Sequence, residues 1–215
     1  MTDDGGIVFR PARPSDAQAV ADLMVEAGGG LFEFLLEGVL PDTTPAEVMG
    51  LAVAGEEDPC SYRNVRVVEA AGRVVAMINA YPVDLLKAEP RDLVPKDRLA
   101  HIAALDAVTD WGSFFVSSMA VAASHRRRGI ARRLLAWAAE EAARRGFDRL
   151  SLQVWADNEA ARRLYEREGF AVAARARIAP HPRLARHGES LLMLRRLPGV
   201  PVSVEAGPDD RPRRA

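Results

Sequence analysis

Residues 113–135 constrain this chain more than any other stretch. An apolar run from Ser113 to Val121 leads into Ala122-Ala123-Ser124-His125, three arginines follow, and Gly129 opens a helical pattern at Ile130. Ile130, Leu134, Ala138 and Ala142 recur every four residues, so one helix face is apolar and packed. A packed helix holds its amino end still. That end carries unpaired N–H groups and about half a positive charge. Arginines leading into it, with Gly129 and Ala131 small enough for close backbone approach, make a cradle suited to a diphosphate. The spacing is neither a G-x-x-x-x-G-K-[ST] loop nor a G-x-G-x-x-G turn. A surface helix that is merely arginine-rich also fits, because the chain uses 27 Arg and only 2 Lys.

Other segments frame this unit. Gly5–Pro11 reads as a short strand, and Ser15-Asp16 as the cap of a helix carrying Ala17, Val20, Ala21, Met24 and Val25. Gly28-Gly29-Gly30 reads as a mobile hinge, followed by a short helix near Phe32–Leu40 and another from Pro45 to about Ala54. Strands at 64–70 and 73–82 flank the tight turn Ala71-Gly72, with Val65, Val67 and Val68 before it and Val74, Val75 and Ile78 after it. Residues 83–112 form a polar insertion with a helix near Asp97–Ala107. After the helix closed by Gly146 come a strand at Leu150–Trp155, a short helix ending at Gly169, and strands near Phe170–Ile178 and Ser190–Leu197. The predicted class is α+β: a mixed, mostly antiparallel sheet of about seven strands flanked by helices, with a helical insertion between strands 3 and 4. Residues 1–197 are expected to form one domain. Residues 198–215, with four prolines, are expected to form a disordered tail.

Composition excludes several classes. The formal net charge is −1, but residues 1–112 hold 9 basic and 19 acidic side chains and residues 113–215 hold 20 and 11. The single cysteine, Cys60, excludes an internal disulfide, and no Cys/His cluster suggests a metal. An acidic amino terminus without an apolar run and the lack of 18 consecutive apolar residues predict a cytoplasmic protein with no membrane partner. Nucleic acid is disfavoured: the arginines crowd one loop, no aromatics interleave them, and the pI is about 6.4.

Residues 126–131 fit [QR]-x-x-G-x-[GA] between a strand and a helix, and about 25 residues later comes Asn158-Glu159-Ala160-Ala161-Arg162-Arg163-Leu164-Tyr165-Glu166-Arg167-Glu168-Gly169-Phe170. Together these resemble the two hallmark motifs of the GNAT superfamily of N-acetyltransferases. The element order agrees over about residues 7–197. The resemblance implies a V-shaped gap between the fourth and fifth strands that takes acetyl-CoA as acyl donor. By the same resemblance, the backbone of Met119 and Val121 pairs with the pantetheine arm. Arg126, Arg127, Arg128, Gly129, Ile130, Ala131 and Arg132 surround the pyrophosphate. Asn158 helps hold the cofactor and also suits a helix cap. Tyr165 points at the CoA sulfur as a proton donor, and a core tyrosine fits the position as well.

The chemistry needs two further groups. The Met119 N–H is the natural donor to the developing oxyanion. The amine must also lose a proton. Many family members carry a glutamate four residues before Val121; here the residue is Ser117, which is no base at neutral pH. Ser117 or Ser118 is left to order a water toward another base, with Glu69, His101, Asp110 and His181 as candidates. Phe32, Glu33, Phe34, Tyr81, His101 and Ser117 are expected to line the acceptor site, where the acidic first half attracts a cation. The expected reaction is acetyl transfer in a ternary complex to a primary amine, a small molecule before a peptide. A homodimer through the last strands fits the fold. The competing reading is an acyl-CoA-binding regulatory module that lost catalysis.

Overall fold

The computed structural model describes residues 6–88 and 92–198. Its elements run β1 (Ile7–Pro11), α1 (Ala17–Gly28), α2 (Leu31–Leu36), α3 (Pro45–Ala54), β2 (Val65–Ala70), β3 (Arg73–Pro82), α4 (Lys96–Ala107), β4 (Phe114–Val121), α5 (Ile130–Arg144), β5 (Arg149–Trp155), α6 (Glu159–Arg167), β6 (Ala171–Ile178) and β7 (Gly188–Arg196). They build one seven-stranded sheet in the order β1-β2-β3-β4-β5-β7-β6. All neighbours are antiparallel except β4 and β5, which are parallel and joined through α5 as a crossover. The α+β class and the helical insertion between the third and fourth strands are as the sequence predicts. Apart from Pro198, the expected tail lies outside the described residues.

Local sequence explains several element ends. Ala71 and Gly72 both take positive φ, 47° and 73°, the backbone of a two-residue hairpin turn. Thr44 caps α3: its hydroxyl accepts from Glu47 N–H at 3.2 Å, while the Glu47 carboxylate accepts from Thr44 N–H at 2.7 Å. Two expectations are corrected. Asp16 does not cap α1 with its side chain; its carboxylate takes Arg10 at 2.6 and 2.9 Å and Arg13 N–H at 2.7 Å. The glycines at 28–30 form a packed corner instead of a hinge. A Cβ on Gly28 would stand 2.5 Å from the Phe32 ring, and one on Gly30 would stand 2.6 Å from the Ala185 methyl.

Helices cover both faces. On one, α5 lays Ile130, Leu134, Leu135, Ala138 and Ala142 over Ala76, Ile78, Ala80 and Val116, and Tyr165 and Phe170 join that cluster. Each fully buried leucine there contributes about 2 kcal/mol of transfer free energy. On the other face, α1 and α3 cover Val65, Val67 and Met77, and α2 and α4 bury Phe34, Ile102 and Leu105 against Trp155, Ala176 and Ile178. The insertion helix is therefore a structural wall over the β5–β6 end of the sheet.

Candidate active site

The parallel pair opens the sheet. β4 and β5 share only three residue pairs, Phe114 with Leu150, Phe115 with Ser151 and Val116 with Leu152. Below them the Ser113 and Ser151 hydroxyls share a buried 2.6 Å hydrogen bond. Beyond Val116 the strands part. Asn79 of β3 faces Ser118, and Ala80 faces Val116, so Ser117 is the extra residue of a bulge on β4. Past that bulge Ala122 N–H donates to the Val75 carbonyl at 2.8 Å. By the two-residue repeat of an antiparallel pair, Ala120 also faces β3, while Met119 and Val121 turn their backbone groups to the open side.

A cleft of about 910 Å³ runs through this opening. At one end stand Met119, Val121, His125, Arg126, Arg127, Gly129, Ile130, Ala131 and Arg132. Arg127 holds a left-handed φ of 62° and Gly129 one of 75°. Left-handed residues in such a turn are a feature of the backbone concavities that suit anions. Nothing stands within 4 Å of a Cβ built on Gly129, so a ligand can reach the backbone there. Arg128 is exposed and does not line the cleft, whereas Arg132 does, 3.4 Å from Glu168. Arg126 reaches across: its Nε donates to the Val121 carbonyl at 2.8 Å, and its Nη2 meets Glu26 at 2.9 Å.

Helix α6 supplies the third wall. Asn158 caps it, its Oδ1 accepting from Ala161 N–H at 3.3 Å, and it also lines the cleft. Tyr165 lines the cleft from the same helix, its ring edge-on to Phe170 with centroids 5.7 Å apart. Burial pushes its phenol up to about 12, because the phenolate would lose its hydration. Arg163 and Arg167 stand beside them in the wall. The sequence reading missed both, although their spacing from Ala160 and Leu164 is helical.

The cleft is also lined by Glu26, Ala27 and Gly28 from the α1 corner, Leu31 and Phe32 from α2, Tyr81 from β3, and Ile102, Leu105, Asp106 and Thr109 from α4 or just after it. Of the expected acceptor residues, Phe32, Tyr81 and Ser117 line the cleft; Glu33, Phe34 and His101 do not. Phe34 is 1% exposed and packs against His101 and His181, with centroids 5.6 and 4.8 Å away. One Glu33 carboxylate oxygen is buried without a hydrogen-bond partner. None of the four expected bases reaches the cleft. Glu69 is held by Arg10 at 2.7 Å, and Asp110 by Arg149 at 2.7 Å. His101 Nε2 lies 3.0 Å from the Ala179 carbonyl, and His181 Nδ1 accepts from Arg183 N–H. Among the described residues the carboxylates in the wall are Glu26 and Asp106, neither foreseen.

A family model described as the acetyltransferase (GNAT) family matches residues 42–170. The chain belongs to this family. It is an acyltransferase, and GNAT enzymes use acetyl-CoA. A solved acetyltransferase shares 22% identity over 88% of this chain and 99% of its own, with a TM-score of 0.65. An N-acetyltransferase from Staphylococcus aureus Mu50 has the same identity and TM-score, covering 87% and 99%. A polyamine N-acetyltransferase from Drosophila melanogaster, which forms N-acetylagmatine, shares 18% over 89% and 100%, with a TM-score of 0.63. Curated protein sequences give no match. At such identities the likeness carries the GNAT fold and no substrate. Among the described residues no helix is long and apolar enough to cross a membrane.

Proposed function

We propose that this GNAT protein acetylates a primary amine by direct attack in a ternary complex, and that the amine is a small molecule. The observation that carries this is one continuous cleft lined by five arginines and by two carboxylates, Glu26, which Arg126 meets at 2.9 Å, and Asp106. The donor end suits acetyl-CoA. Met119 offers its backbone, and Val121 its N–H, to an amide-bearing arm; the Val121 carbonyl is taken by Arg126. The nest at Arg127–Gly129, with its open Gly129 Cα, suits a diphosphate. Bound there, acetyl-CoA supplies a thioester acyl group.

The chain's own groups then have definite tasks. The Met119 N–H donates to the oxygen on which charge develops. Tyr165, with its phenol near 12, stays protonated at every physiological pH and donates a hydrogen bond to the departing sulfur. A thiolate of ordinary pKa, about 8.5, does not take that proton outright, so Tyr165 stabilises charge more than it titrates. Ser117 and Ser118, at the bulge, order water along which the ammonium proton leaves. Helix α4 and the α1–α2 corner wall the cleft beside Tyr81, which favours a small molecule over a folded protein. The polyamine and agmatine acetyltransferases among its structural neighbours act on amines of that size.

Calorimetry with acetyl-CoA, combined with a thiol-release assay over a panel of primary amines, tests the proposal. Binding with amine-dependent thiol release is expected. Binding without release from any amine would overturn transfer in favour of an acyl-CoA-binding module.

A further inference from the structure

Two charged groups in the cleft each have a second candidate partner. Arg126 comes from the loop before α5, and Glu26 from the last turn of α1, 100 residues earlier. Their 2.9 Å ion pair joins the donor side of the cleft to the acceptor side. Both side chains are more than half exposed, 56% and 59%, so the pair is weak and exchangeable. Helix stability does not explain Glu26. A carboxylate in the last turn faces the negative end of the helix dipole, and α1 has no basic residue there to offset it. Arg126 is anchored separately, through Nε to the Val121 carbonyl at 2.8 Å, so its charge stays at the cleft when Glu26 lets go.

We infer that Glu26 is a shared carboxylate that recognises the acceptor's ammonium and is released for that task when the donor's diphosphate engages Arg126. This rests on the proposed acetyl transfer. An anion at the nest competes with Glu26 for the Arg126 guanidinium. A carboxylate so released stands in the same cleft wall as Phe32 and Tyr81, where the amine enters. Each substrate thereby favours the other, and the coupling is reciprocal. Asp106, from the insertion, is the other carboxylate that lines the cleft.

The test uses the full chain as wild type, Glu26→Gln, Arg126→Gln and the double variant. Acetyl-CoA affinity is read by calorimetry. Thiol release is read with 2-phenylethylamine, 1,4-diaminobutane and an alanyl dipeptide, keeping the fastest amine for KM. Glu26→Gln should bind acetyl-CoA more tightly, by up to about five-fold, because a competing exposed pair is gone. The same variant should raise the amine KM about ten-fold. Arg126→Gln should weaken acetyl-CoA binding and leave the amine KM unchanged or lower. In the double variant, the effect of Glu26→Gln on acetyl-CoA should vanish. Opposite shifts in the two substrates are not what a folding defect produces. Unchanged or weaker acetyl-CoA binding by Glu26→Gln, or an unchanged amine KM, overturns the inference. A wild type that does not bind acetyl-CoA overturns the donor-site assignment instead. A wild type that binds it but acetylates none of the three amines overturns the acceptor role of Glu26, while the affinity comparison still reads the competition for Arg126.

Discussion

The side-chain amide of Gln153, on β5, donates to the carbonyl of Leu105 in α4 at 3.0 Å. Leu105 lies in the last turn of its helix, where its carbonyl otherwise takes only a long 3.4 Å bond from Val108 N–H and one of the same length from the Thr109 hydroxyl. The bond thus ties the insertion to the rim of the open sheet. Gln153→Ala should cost about 1 kcal/mol in urea unfolding. It should raise the amine KM and leave the acetyl-CoA Kd alone, since α4 walls only the acceptor end.

Gly129 and Gly146 form a matched pair for testing the nest. Their φ values are 75° and 83°, and a Cβ added at either would meet nothing within 4 Å. An alanine at either site costs about 1–2 kcal/mol of backbone strain. Only Gly129→Ala should also weaken acetyl-CoA binding, by placing a methyl where the ligand meets the backbone. Calorimetry on the two variants separates strain from contact.

Tyr165→Phe should lower kcat by about 100-fold with little change in acetyl-CoA affinity. The wild-type rate profile should show no ionisation of this residue below about pH 11, given a phenol near 12. The stability sign follows from the raised phenol: folding favours the neutral form. That contribution is complete below about pH 10 and is lost as pH rises through about 12. Denaturant midpoints of Tyr165→Phe should therefore fall less than those of wild type between about pH 9 and pH 12.

Asp16 gives the opposite dependence. Its hydrogen bond from Arg10 holds it below the ordinary carboxylate value, and the Arg13 N–H adds to this, against an opposing effect of burial. The stabilisation is present above the unfolded value of 3.8 and is lost as pH falls through the lowered folded one. Asp16→Asn should cost about 3 kcal/mol at pH 7, the range for breaking a well-buried pair. The gap from wild type should narrow in acid, as measured by thermal unfolding from about pH 7 to pH 3.

The elements were legible because their signals are local. Gly129 before Ile130, Ala71-Gly72 between two valine-rich runs, and Pro45 after Thr44 each state a boundary within a few residues. The acceptor wall was less legible, for a geometric reason. Phe32, Glu33 and Phe34 are consecutive on a helix, so their side chains lie about 100° apart and cannot share one face. Phe32 meets the cleft and Phe34 the core. In α4 the same rotation turns Ile102 and Leu105 to the cleft and leaves His101 against Ala179. The bulge at Ser117 depends on which β3 residue stands opposite, and the pairing of Glu26 with Arg126 on two distant segments; neither has a local signal.

Three pairs of residues between β4 and β5 are all that join strands β1–β4 to strands β5, β7 and β6 along the backbone ladder. That makes the middle of the sheet its mechanical seam. The amides of Met119 and Val121, on the unlaced side, have no strand partner there and should exchange with solvent early. A molecule that laces the seam acts as a splint. It should slow that exchange and raise the melting temperature of both plates together, so thermal shift reports occupancy of this cleft before any product is made.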